Sequence, residues 1–257
     1  MKRILVSLLA AAALAACKDS TSPTPTPPPP AYERFTSQGD SAAVGDTLAA
    51  FRTALGGSLN APNSAPADSG RREVNWDGVA AALTNVDTFP AGFFNSNSKR
   101  GVVFGTPGTG FRIDSTAFAG INPQYPSQFK AFSPKKLFMP VGSNQMTVDF
   151  KIVGSTDGGL VKGFGVVFTD VDRAGSTVVD FFDRNGTRIA SITAPAAVGA
   201  HGFSFVGAVF ASPVIAHVVI TSGDAALSAA TTDASISGTA DLVVMDDFVY
   251  GEPQPLP

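Results

Sequence analysis

The sequence predicts an all-β fold, a sandwich or barrel of antiparallel strands carrying one short N-terminal helix. Three observations lead there. Strand-like segments recur at residues 145–153, 162–169, 177–182, 188–193, 202–210, 214–221 and 242–250, with turn residues between them. Phe is abundant at 20 residues, and Gly (26) and Pro (19) punctuate the chain. Only Glu33, Glu73 and Glu252 are glutamates among 21 acidic residues, so the acids are mostly aspartates, which suit turns and caps better than helix interiors.

The 257 residues suffice for one large β domain. Residues 1–16 read as an export signal: Lys2 and Arg3 are basic, and residues 4–13 form an apolar run too short to span a bilayer. Leu14-Ala15-Ala16-Cys17 follows, and it resembles the lipobox of bacterial lipoproteins, in which cleavage precedes an acylated cysteine. Cys17 is the chain's single cysteine, so it is the expected lipidation site and no internal disulfide can form. Each buried CH₂ contributes about 0.8 kcal/mol, which makes several acyl chains a lasting anchor where one is not. The expected address is the bacterial cell envelope. The membrane is a partner through the lipid, and Lys18 after the cysteine favours the outer membrane. The formal charge is −3, and loss of Lys2 and Arg3 with the signal makes it −5. Lys135-Lys136 and Arg71-Arg72 are isolated basic pairs, a pattern that argues against a nucleic-acid partner. A monomer is expected.

Residues 17–34 read as the anchor and a Ser/Thr/Pro tether in polyproline II form. Residues 35–70 hold the helix and a loop. Asp46 is the expected cap, Leu48, Phe51 and Leu55 the buried face, and Gly56-Gly57 the stop, with the helix packed on the edge of the sandwich. The β domain spans 71–253, with further strand-like stretches at 89–94, 101–105 and 108–113 and a tail from 254 to 257. Gly105–Gly110 has the glycine spacing of a phosphate loop, but Phe111 stands where the lysine belongs, so it reads as a turn. Residues 115–140 form a long proline-interrupted loop whose aromatics Phe118, Tyr125, Phe129, Phe132 and Phe138 pin it to the core. Residues 214–220 are apolar at successive positions, the pattern of a strand covered on both faces. Residues 221–241, built of small residues, read as an exposed flexible loop.

The segments GRREVNWDGV (70–79), RGVVFGTPGTGF (100–111), GFGVVFTDVD (163–172), FFDRNG (181–186) and VVMDDFVYGEP (243–253) occur in one consistent order. Together they resemble a family of exported bacterial proteins ending in MDDF-Y-GEP. More distantly, the pattern is similar to the jelly-roll sandwiches of exported and surface-anchored proteins, some of which bind carbohydrate. The resemblance implies a jelly-roll-like antiparallel β-sandwich and an extracytoplasmic location. It carries over no catalytic residue.

Residues 163–186 read as a central hairpin rich in aspartate. Calcium takes six to eight oxygen ligands, so Asp170, Asp172 and Asp183, joined by Asp246 or Asp247 from the last strand, are the candidate metal ligands if those strands are neighbours. The plainer reading makes these acids turn formers and caps paired with Arg184 or Arg188. Asp180 and Asp247 interrupt apolar strands, and a buried carboxylate needs hydrogen bonds, a cation or a proton. His217 reads as an ordinary sheet histidine, and a two-histidine metal site would need His201 as well. No HExxH, GxSxG or CxxC motif occurs, and no catalytic residues are assigned. Trp76, Tyr125 and Tyr250 are the aromatics suited to stacking on sugars, with Trp76 better placed for the core. The functional expectation is a non-enzymatic binding or structural module, calcium-stabilised and with polysaccharide as a partner. The alternative is an envelope polysaccharide hydrolase, for which two carboxylates about 5–10 Å apart in a cleft would speak.

Overall fold

A computed structural model describes residues 28–197, 199 and 201–256; Cys17 and most of the expected tether lie outside them. In chain order the strands are β1 (Tyr32–Gly39), β2 (Arg71–Val74), β3 (Val102–Gly105), β4 (Gly110–Asp114), β5 (Leu137–Val141), β6 (Gln145–Phe150) and β7 (Gly159–Leu160). They continue as β8 (Gly163–Thr169), β9 (Val178–Phe182), β10 (Arg188–Thr193), β11 (Phe203–Phe210), β12 (His217–Thr221), β13 (Val244–Gly251) and β14 (Gln254–Pro255). One sheet runs β1-β11-β8-β13-β5-β4, with β2 also pairing β13, and the other runs β10-β9-β12-β6-β3. All the strand ladders are antiparallel.

The inner eight strands carry jelly-roll connectivity. β5-β13-β8-β11 faces β6-β12-β9-β10, and every step along these strands crosses between sheets except β9 to β10. β4 and β1 lengthen the first sheet and β3 the second. Residues 163–186 are therefore not a hairpin, because β8 and β9 lie in different sheets. The two strands have similar local composition, and the sheet each joins is set by partners far away in the chain.

Burial follows from which faces are covered. β6, β9 and β12 alternate, as strands with one solvated face do. β8, β11 and β13 are buried at every position. The expectation of two covered faces thus fails for 214–220 and holds for β8, β11 and β13 of the first sheet, where helix α1 (Ser41–Leu55) lies across the outer face. Val44, Leu48, Phe51 and Leu55 of α1 pack against Val167, Phe205, Val209 and Val249. The helix sits on the face of the sandwich, not on its edge. Gly165 and Gly207 are paired beneath it, and a Cβ on Gly165 would come within 2.6 Å of the Phe205 ring and 3.0 Å of Phe51. The helix begins earlier than the sequence suggests. Asp40, not Asp46, is the N-cap, accepting from the N–H groups of Ala42 and Ala43 at 3.1 and 3.0 Å.

Other boundaries move for identifiable reasons. β1 begins inside the expected tether, because Tyr32–Gly39 finds β11 as a partner along its whole length. β5 begins inside the expected long loop, and Pro140 sits beyond Phe138, the β5 residue that pairs with β13. Residues 89–94 are not a strand; Pro90 accepts from Phe93 N–H as a short helix, α2 (Phe93–Ser96), starts. The tail is docked: Gln254 and Pro255 pair with β7, and Glu252 forms a buried bidentate ion pair with Arg72 at 2.6 and 2.9 Å.

The core between the sheets is dominated by Phe and by Trp76, which stacks on Phe138 with centroids 4.0 Å apart and donates from Nε1 to the Asp246 carbonyl at 2.8 Å. Phe118, Tyr125 and Phe129 pin the 115–136 segment to Leu137, Met139, Leu242 and Val244, as expected of that loop. Residues 105–110 link β3 to β4 across the two sheets as a turn.

Candidate metal centre

Three connections that cross between the sheets meet at one end of the sandwich: 170–177 after β8, 194–202 after β10 and 222–243 after β12. Backbone bonds tie them together. Asp170 N–H donates to Gly202 O at 2.9 Å and Ala197 N–H to Val171 O at 2.8 Å. Gly223 N–H donates to Thr177 Oγ1 at 3.0 Å. The N–H groups of Asp172 and Arg173 donate to the two oxygens of Asp241 at 3.0 and 3.1 Å. Asp233 accepts from Ser235 N–H and Leu242 N–H, both at 2.7 Å, which folds the 222–243 connection back on itself.

These bonds bring Asp170, Asp172 and Asp233 together, with one oxygen from each lying within 4.8 Å of the others. Asp170 and Asp233 are fully buried and Asp172 is half-buried. Asp170 has φ +70°, a left-handed conformation that aspartate tolerates better than most residues. Among the described residues, both of its carboxylate oxygens lack a hydrogen-bond partner, as does Oδ2 of Asp172. Burial, followed by the charges of Asp233, Asp172 and Asp241, pushes the Asp170 carboxyl up to about 9. Burial and the neighbouring Asp233 push Asp172 up to about 6, and burial raises Asp241. Arg173 leaves the same loop but pairs with Asp224 at 2.7 Å. A site with this charge and no countercharge holds either a proton or a cation.

The other expected ligands lie elsewhere. Asp183 follows β9 at the end opposite to residues 170–177, with the five-residue strand between them, about 16 Å of chain at 3.3 Å per residue. Its Oδ1 accepts from Asn185 and Thr187 N–H, which is turn chemistry. β13 does lie beside β8, but antiparallel: Val244 faces Thr169, so Asp246 and Asp247 fall at the bulge between Met245 and Phe248, receding from Asp170. Asp246 accepts from Phe132 N–H, Ser133 N–H and Ser133 Oγ at 2.6, 3.1 and 2.9 Å, anchoring the 115–136 segment. Burial and the adjoining Asp247 raise its carboxyl well above the ordinary range. Asp247 is buried with Oδ1 unpartnered, and burial raises its carboxyl too.

Asp180 meets Arg188 at 3.4 Å, the arginine contact expected of one such acid. His217 stacks on Phe182 with rings 4.8 Å apart, while His201 sits beside Gly202 at the acidic end, so the two histidines occupy opposite ends of the sandwich. Sequence reasoning missed Asp233 and Asp241, because they lie among small residues that read as exposed and flexible. Both are fully buried. The available signal was their position on the connection that leads into β13, beside β8.

No protein-family model matches the chain, and no curated protein does either. Among solved structures, the chain shows a likeness to the enzymatically active domain of bacteriophage CBA120 tailspike protein 4. That likeness has a TM-score of 0.28 and 13% identity, over 68% of this chain and 22% of that one. The chain thus spans about a fifth of the tailspike's length. A score of 0.28 is too low to stand for a shared fold.

Proposed function

We propose that this protein is an exported, lipid-anchored β-sandwich of the bacterial cell envelope, with a binding or structural role there. The observation that carries this reading is Leu14-Ala15-Ala16-Cys17: the single cysteine stands where acylation requires it, behind a basic pair and an apolar run. Residues 18–31 separate that cysteine from β1 in the chain.

The placement of the other groups favours binding or support over hydrolysis. Asp170 and Asp233 are 0% exposed at the end of the sandwich, so neither presents its carboxyl at the surface to a sugar chain. Trp76, Tyr125 and Tyr250 are all buried, so a polysaccharide partner would be held by polar groups and not by stacking on these rings.

Cys17→Ala tests the anchor. The wild-type protein is expected in the membrane fraction with an acylated N-terminal cysteine by mass spectrometry, and the variant in the soluble fraction. Wild-type protein without acyl chains, or a variant that stays with the membrane, overturns the proposal.

A further inference from the structure

We infer that Asp170, Asp172 and Asp233 bind one calcium ion, which staples the connection after β8 to the connection after β12. Acidic residues gathered at the surface do not make a site; here the decisive feature is burial without partners. Asp170 is 0% exposed and neither of its oxygens meets a donor. Two other buried acids of this protein are fully served, and Asp247 leaves only Oδ1 without a partner among the described residues. Glu252 accepts from Arg72, Asn60 and Ala67, and Asp114 from Arg112, Thr116 and Phe118. The difference marks Asp170 as a buried group with no partner among the described residues.

The spacing suits one ion. Calcium holds its oxygens at about 2.3–2.6 Å, so two ligands of the same ion stand no more than about 5 Å apart. The three acids meet that limit at 4.8 Å. The donors are all carboxylate oxygens, with no thiolate or imidazole among the three, which selects a hard cation over zinc or copper. Magnesium demands a tight octahedron and gives up its waters reluctantly, so a buried, dehydrated set favours calcium. Other buried oxygens without partners among the described residues include Thr169 Oγ1, on the residue before Asp170, and Gln128 Oε1, on a residue whose backbone carbonyl accepts from His201 N–H. Asp241 is not one of the three acids whose oxygens converge; it holds the N–H groups of Asp172 and Arg173 and so shapes the loop that carries Asp172.

The inference is independent of the lipid anchor, and calcium binding is read separately from membrane release. The test is calorimetric titration of the purified full chain with calcium chloride after chelator treatment, alongside thermal melts. One calcium per chain is expected, with a dissociation constant no weaker than about 1 mM, the weak end for extracellular modules. Saturating calcium should raise Tm by roughly 3–10 °C over chelator, following ligand linkage for a domain of this size. Asp170→Asn and Asp233→Asn should each weaken binding at least tenfold, and Asp183→Asn should not. Asp172→Asn, at a half-buried position, guards against misfolding of the buried variants and should also weaken binding. No titratable calcium site together with equal melts in chelator and calcium overturns the inference. So does a site that survives loss of Asp172 and Asp170, or one that prefers magnesium.

Discussion

The backbone N–H of Asp172 donates to the Asp241 carboxylate at 3.0 Å across 69 residues of chain. Asp241's other oxygen takes the N–H of Arg173, so one side chain holds the acidic β8–β9 connection against the segment entering β13. Asp241→Ala orphans both donors, at about 1–3 kcal/mol for each buried group left unsatisfied. A fall of several degrees in Tm is expected in chelator, with weaker calcium binding. Asp241→Asn keeps one acceptor oxygen and should lose less. A melt unchanged by Asp241→Ala would show that the two connections hold together without it.

The calcium-free protein should lose stability as pH rises from 5 to 8. Asp170 titrates at about 9 when folded, against about 3.9 for an unperturbed aspartate, so over this range the folded state keeps a proton that the unfolded chain has released. Stability is then greatest below the unfolded value and falls as pH climbs toward 9. Asp172, raised to about 6, adds to the loss over the lower part of the window. The groups facing Asp170 are Asp172, Asp233 and Asp241, with the Arg173–Asp224 pair at the rim, and none of them reverses the sign. Asp246 and Asp247 push in the same direction, so Asp170→Asn should reduce the slope of Tm against pH without abolishing it. Added calcium should flatten the wild-type profile. A wild-type Tm that rises from pH 5 to 8 in chelator would contradict this account.

Arg72 and Glu252 form a bidentate pair with side chains 0% and 1% exposed, joining β2 to the residue after β13. Removing one partner leaves a charge buried alone, a loss of about 3–5 kcal/mol. Arg72→Met and Glu252→Gln should each lower the denaturation midpoint strongly. The double variant should lose clearly less than the two single losses added. Additive losses would mean that the pair does not act as a unit.

Asp40→Ala removes the α1 cap and should cost about 0.5–2 kcal/mol, whereas Asp46→Ala, at an exposed position inside the helix, should change little. Equal effects in urea denaturation would place the start of the helix wrongly.

Strand positions were legible because their signals are local. The 188–193 segment is β10 to the residue, and the Leu48, Phe51 and Leu55 stripe of α1 is buried as its spacing predicts. Polar or proline-bearing strands were not legible, since β1 and β5 are made strands by partners elsewhere in the chain. The sequence offers Asp170 and Asp172 as candidate ligands, and the structure brings an oxygen of each within 4.8 Å of the other and of Asp233. The expected closing pair, Asp246 and Asp247, failed because antiparallel pairing of β13 with β8 carries residues after Val244 away from the loop and residues before it toward the loop.

Composition and spacing by themselves determined an all-β chain, the order of most of its strands and the helical face, since each depends on a few neighbouring residues. Only the tertiary structure decided that β8 and β9 belong to opposite sheets and that Asp233 stands with Asp170 and Asp172. It also buried Asp233 and Asp241 within a run of small residues most of whose other positions are half-buried or exposed. The physical reason is that a jelly roll places its contacts across sheets, so residues far apart in the chain share one environment that no local pattern records.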